Sequence, residues 1–230
     1  MQDVERRLDA ACARAGRRRE DVKIVAVTKY VSAAIARRVV EAGCRHIGEN
    51  RWPAAEAKWR LLEGQAVFHY IGSLQTNKVK EVVGRFDYIH SVDRWSLATE
   101  IHKRAAALGI VVPVFFQVNV SGEDSKHGLP PAELAAFAEE ARGLTGIRPV
   151  GLMTMAPFEA QAEDTRPVFR ELRRLRDELN GRAILPQPLT ELSMGMSNDF
   201  EVAVEEGATW IRLGTVLVGK EDNGSSEGLR

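Results

Sequence analysis

The chain has little cysteine, no excess of charge of either sign and no long apolar run, and each shortage removes a class of protein. Two cysteines, Cys12 and Cys44, stand in 230 residues. That is too few for a disulfide framework or a cysteine zinc site, so both are expected to be free thiols in a reducing compartment. Lysine plus arginine equals aspartate plus glutamate at 32 each, which gives no steering toward nucleic acid or an acidic membrane. No apolar run approaches the ~18 residues a membrane helix needs, and no charged-then-apolar leader opens the chain. Glycine is missing from the turn after the first apolar run, Thr28-Lys29-Tyr30-Val31, where an open dinucleotide-binding sheet usually carries it. A cytoplasmic monomer is expected, with neither nucleic acid nor membrane as partner.

What is present reads as an ordinary globular composition, 44% hydrophobic and 28% charged. Eight β-branched or apolar runs, at 23–29, 46–50, 67–74, 88–92, 112–120, 149–155, 191–197 and 209–219, alternate with segments of helical spacing. Trp95, Ala98, Ile101, Ala105 and Leu108 recur at steps of three and four, as do Phe169, Leu172, Leu175 and Leu179. An extra helix with Val4, Leu8, Ala11 and Ala15 on one face precedes the first run, and Gly43, Gly109 and Gly207 fall where helices should stop. Strands alternating with helices pair in parallel through right-handed crossovers. Eight such units at a length near the ~250 residues typical of a closed barrel predict a single (β/α)8 TIM barrel over 1–220. The polar remainder, 221–230, is expected to be a frayed tail.

Such a barrel places its active site at the C-terminal ends of the strands, often with a phosphate site after strands seven and eight. Alternation puts Val25, Val27 and Lys29 on one face, so Lys29 emerges at the mouth of an apolar inner row. An amine there can attack an aldehyde as Schiff-base lysines do; the alternative is a solvated lysine at a strand end. The second run ends in Glu49-Asn50. The seventh ends in Ser197-Asn198, and Asn198 with Glu201 three later resembles a capping box at a helix start that could receive a phosphate. Ser197 and Asn198 could equally be plain helix caps. In the eighth run Gly214 lets backbone approach an anion and Thr215 adds a donor. Arg212 lies among Trp210, Ile211 and Leu213, and a buried guanidinium demands a partner: Glu191 or Asp199, or else a ligand.

Other polar residues carry less. His46 and His69 fall at the starts of their runs and His90 near the end of its own, so the three are not expected to converge, and no metal site is expected. Met153, Met155, Met194 and Met196 read as core or pocket wall. The polar loop from Ser121 to Gly128 is either a lid over the active face or an ordinary solvated loop.

Six segments together resemble the YggS/PROSC family of pyridoxal phosphate homeostasis proteins. They are Ala26-Val27-Thr28-Lys29, His46-Ile47-Gly48-Glu49-Asn50, the stretch from Phe68 to Lys78, Val118-Asn119-Val120-Ser121-Gly122-Glu123, Leu192-Ser193-Met194-Gly195-Met196-Ser197, and Ile211-Arg212-Leu213-Gly214-Thr215. The resemblance implies a barrel like the N-terminal domain of alanine racemase, with pyridoxal 5'-phosphate (PLP) as cofactor. It implies that Lys29 forms the Schiff base, that Ser197, Gly214 and Thr215 hold the phosphate, that Arg212 faces the pyridine nitrogen and that Asn50 lines the pocket. An arginine at that nitrogen weakens the ring as an electron sink, and alanine racemase draws a second acid–base group from a further domain for which the 230 residues leave no room. The expectation is therefore a non-catalytic PLP-binding protein that buffers the cofactor or delivers it to PLP-dependent apoenzymes. The rival is a minimal PLP-dependent amino-acid racemase with Tyr30 or a neighbouring loop as second base. A sugar-phosphate isomerase would use the phosphate site but leave Lys29 unexplained unless it were an aldolase-type amine.

Overall fold

Eight parallel strands close on themselves in sequence order, β1 pairing with both β2 and β8. The computed structural model describes residues 1–123, 126–157 and 159–219, so the expected tail lies outside the described residues. Helix α1 (Gln2–Arg14) precedes β1 (Lys23–Val27), α2 (Ala33–Glu41), β2 (His46–Glu49) and α3 (Trp52–Leu62). Next come β3 (Val67–Tyr70), α4 (Val79–Val82), β4 (Tyr88–Val92), α5 (Trp95–Ala107) and β5 (Val112–Gln117). The second half holds α6 (Leu134–Ala141), β6 (Ile147–Met153), α7 (Arg166–Gly181), β7 (Glu191–Ser193), α8 (Phe200–Glu205), β8 (Trp210–Leu213) and α9 (Thr215–Val218). The expected TIM barrel is the fold observed.

Two cores follow from strand alternation. Outward residues such as Ile24, Ala26, Ile47 and Phe68 join the layer between strands and helices, while Val25, Phe115, Met153 and Trp210 pack inside the barrel. The interior is thus a filled core, as this architecture requires. Gly43, Gly109 and Gly207 end α2, α5 and α8 with φ of 98°, 67° and 103°, the left-handed turn that glycine adopts without penalty. Cys12 and Cys44 are free and buried.

Three expectations need adjusting. Most strands stop short of their apolar runs, β1 at Val27 and β7 at Ser193, because the in–out alternation of side chains continues into the loop after the last ladder hydrogen bond. The run 209–219 contains a turn of helix, α9, whose apolar residues Val216, Leu217 and Val218 pack against the outer core; periodicity cannot separate so short a helix from a strand. In α5 the buried stripe is Leu97, Ala98, Ile101 and Ala105. Trp95 and Leu108, at or beyond its ends, are 42% and 45% exposed.

Helix α1 is part of this structure: Val4, Leu8, Ala11 and Cys12 are buried, and Arg7 and Arg14 reach Glu201 and Glu205 of α8 at 2.8 and 2.6 Å. Leu8→Ala should therefore lower unfolding stability by about 2–5 kcal/mol, read as a fall in denaturant midpoint with unchanged slope. A loss below about 0.5 kcal/mol would show that α1 folds apart from the barrel.

Candidate functional site at the strand ends

Lys29 follows β1 on the row of Val25 and Val27, half-buried, its Nζ 4.9 Å from the centre of the Tyr30 ring. The opposite face of the same segment is fixed by a buried polar cluster. Lys58 of α3 donates from Nζ to the Thr28 carbonyl at 2.6 Å and to Glu49 Oε1 at 2.8 Å, and the Thr28 hydroxyl donates to the same carboxylate oxygen at 2.6 Å. The peptide unit just before Lys29 is thus held by a buried ion pair, which anchors the loop that presents the amine. Lys58 was not among the expected residues. Its signal was its place in Ala55, Lys58 and Leu62, the buried stripe of α3.

Asn50 follows β2. A Cβ added at Gly72 would lie 2.7 Å from the Cβ of Asn50 and 2.8 Å from its carbonyl oxygen, so glycine at 72 lets the loop after β3 close against Asn50. After β7 the chain turns through Gly195 at φ 92°, where a Cβ would meet that of Ala203 at 2.5 Å. The expected capping box does not form. Asp199 occupies the N-cap of α8 and accepts the Met196 N–H at 2.5 Å, while Glu201 turns away to Arg7. Nor is Ser197 a cap: its Oγ accepts the Gly214 N–H at 3.3 Å. The loops after β7 and β8 therefore meet, bringing Ser197, Gly214 and Thr215 to one locus. The register Ala26↔Leu213 sets Gly214 beside Val27, one inward position before Lys29. The loop after β5 is pinned by Asn119, which bonds Ser121, Gly122, Glu123 and Lys126; Asp124 and Ser125, part of the lid expectation, lie outside the described residues.

Arg212 is 5% exposed on β8, and among the described residues no carboxylate pairs with it. Glu191 is engaged by Lys23 and Asp199 by Met196. Instead the guanidinium donates to Ser193 Oγ at 2.7 Å and to the Thr154 carbonyl at 3.0 Å, two of its five N–H groups. Burial pulls its pKa down to about 10, with the Asp199 charge opposing, so it keeps its charge at neutral pH.

Beneath it the three histidines converge after all. His90 Nδ1 lies 2.8 Å from Ser193 Oγ, His90 Nε2 lies 2.9 Å from His69 Nδ1, and His69 Nε2 lies 3.1 Å from His46 Nδ1. Strand stagger explains it: His46 pairs with Val67, so His69 sits one inward step higher, and His69 pairs with Tyr88, so His90 sits one step higher again. Position within each strand misleads because the strands themselves are offset. No group of three or more His, Cys, Asp or Glu among the described residues is arranged to hold a metal.

The locus thus offers an amine, hydroxyl and backbone donors, and a guanidinium with no carboxylate bonded to it among the described residues, the donor set that fits a phosphorylated aldehyde. Comparison with known proteins agrees with that chemistry. The family model for the alanine racemase N-terminal domain matches residues 2–222, and the pyridoxal phosphate homeostasis protein of Aquifex aeolicus is 44% identical over 218 residues, 94% of this chain and 95% of that one. The chain belongs to the pyridoxal phosphate homeostasis protein family. The Pseudomonas aeruginosa member is 39% identical over 96% of this chain and 94% of its own length. PipY of Synechococcus elongatus, solved with PLP bound, superposes with a TM-score of 0.81 at 38% identity, covering 93% of this chain and all of that one. Alanine racemase of Clostridium difficile shares the fold at 14% identity with a TM-score of 0.72 over 57% of its length.

The buried histidines set an acid limit on this family member. Burial holds His69 and His90 well below 6.5, with His90 and His46 adding to the effect on His69 and Arg212 to that on His90. In the unfolded chain both protonate as pH falls through 6.5, while in the fold they stay neutral. The unfolded state then binds more protons and stability declines. Between pH ~6.5 and ~5 the unfolding free energy should fall with a slope approaching about 2.7 kcal/mol per pH unit, near 1.4 for each histidine. His69→Phe should remove about half of that slope; equal slopes in both proteins would mean that these imidazoles protonate in the folded state.

Proposed function

We propose that this protein binds pyridoxal 5'-phosphate at the strand ends of a single cofactor-binding barrel, residues 1–220, and holds it for delivery without turning over a substrate. It acts as a cytoplasmic monomer, and PLP-dependent apoenzymes are the recipients. The observation that carries this reading is Arg212, a buried cation with two neutral acceptors and no carboxylate partner among the described residues. In a low-dielectric interior such a charge calls for an electron-rich partner, and a pyridine nitrogen or phosphate supplies one.

In this reading Lys29 provides the amine that joins the cofactor aldehyde. The Thr28–Glu49–Lys58 cluster holds that amine's loop, Ser197 with Gly214 and Thr215 grips the phosphate, and Asn50 lines the pocket. Bound PLP supplies an electrophilic carbon and a ring able to accept electron density. Arg212, already protonated, donates to the ring nitrogen and opposes its protonation, which limits that acceptance. Tyr30, one of the two second bases a racemase reading offers beside a neighbouring loop, is 82% exposed and stands in water rather than over a shielded substrate face.

Borohydride reduction of the PLP-loaded protein followed by peptide mapping should place the adduct on Lys29. An adduct on Lys23, Lys58 or Lys78 would overturn the site assignment. Incubation with L-alanine in deuterated water should give α-hydrogen exchange and racemisation close to the rate with free PLP. Positioned acid–base catalysis contributes ~10²–10⁴-fold, so acceleration on that scale, lost in Lys29→Ala, would make the protein a racemase.

A further inference from the structure

A barrel of this kind is ordinarily filled with branched aliphatic side chains. Here a polar file crosses it from the lower mouth to the site: His46, His69, His90, Ser193, Arg212. Burying so many polar groups is tolerable only if each finds a partner, and these do, through one another. Aromatic faces flank the file, Tyr88 stacked on His69 at 4.7 Å and Phe115 on His90 at 4.2 Å. Packing alone would be served as well by leucine or phenylalanine. The file does something those residues could not, which is to present Arg212 with an uncharged acceptor.

We propose that Ser193, His90, His69 and His46 are positioning residues for Arg212, a hydrogen-bonded file of fixed polarity that holds the guanidinium without neutralising it. The assignment rests on the reading of the site as a PLP site. Arginine is an obligate donor, so Ser193 Oγ accepts from it. With the Ser193 proton given to His90 Nδ1, His90 Nε2–H donates to His69 Nδ1 and His69 Nε2–H donates to His46 Nδ1. Every contact then has one donor and one acceptor, and all three imidazoles are neutral with the proton on Nε2. The opposite polarity would make Ser193 accept twice and leave its own proton without an acceptor among the described residues. A carboxylate in place of Ser193 would hold Arg212 as firmly but cancel the charge that the ring nitrogen meets. The neutral file keeps the geometry and leaves the charge directed at the ligand.

The polarity is testable on the unmodified protein. Nitrogen-15 NMR of histidine-labelled protein at mildly alkaline pH should show His46, His69 and His90 all as the Nε2–H tautomer, and adding PLP should shift His90 more than His46. Ser193→Ala should move the visible absorption band of bound PLP and weaken PLP binding tenfold or more, the loss expected when a charged donor forfeits its acceptor. His90→Leu should act in the same direction, and His90→Gln, which can accept from Ser193 and donate to His69, should recover much of the wild-type spectrum. A mixture of tautomers, or folded Ser193→Ala and His90→Leu proteins with wild-type spectrum and affinity, would overturn the assignment. A wild-type protein that gives no visible band with PLP would instead remove the reading beneath it, and the proposal with it.

Discussion

A guanidinium buried without a carboxylate partner among the described residues is the constraint around which the barrel interior is arranged. An isolated charge in a medium of low dielectric is expensive, and Arg212 meets that penalty with one hydroxyl and one carbonyl. The carbonyl belongs to Thr154, just past β6, and the hydroxyl to Ser193 at the end of β7, so three successive strands are fixed relative to one another by a single side chain. The Thr154 hydroxyl in turn bonds the Val118 carbonyl at 2.8 Å, which brings the loop after β5 into the same network. Asp199 supplies a distant compensating charge; burial pushes its own carboxyl pKa up while the Met196 N–H pulls it back.

A second anchor on the opposite side of the site uses the contrary solution. Lys58 and Glu49 form a close buried pair at 2.8 Å, and together they hold Thr28, Lys58 at its carbonyl and Glu49 at its hydroxyl. One Glu49 oxygen, Oε2, stays buried without a partner among the described residues. Paired charges of this kind contribute little net stability but resist rearrangement. In the proposed reading the contrast between the two anchors separates their roles: a neutralised pair where only backbone geometry is needed, an unneutralised cation where a ligand would be met.

Much of this was legible in the residues. Period-two runs alternating with period-three-and-four runs sufficed for the barrel, and the alternation of Val25, Val27 and Lys29 placed the amine at the mouth. Glycines after α2, α5 and α8 marked helix ends because only their backbone demanded that residue. What could not be read was anything set between strands. The convergence of His46, His69 and His90 depends on stagger, which no single run encodes. The capping box at Asn198 and Glu201 failed because Asp199 found the Met196 amide and Arg7 drew Glu201 away, a competition between distant segments. Lys58 was visible as a lysine in an apolar stripe, but its partner Glu49 and its target, the Thr28 carbonyl, come from two other elements.

The central claim is that Arg212 reaches the bound cofactor as a charged donor and thereby keeps the ring nitrogen unprotonated. Nitrogen-15 NMR of the protein loaded with PLP labelled at the ring nitrogen measures this directly. The account predicts a resonance in the range of an unprotonated, hydrogen-bonded pyridine, moving when Arg212 is replaced by lysine. A pyridinium resonance in the unmodified protein would contradict it.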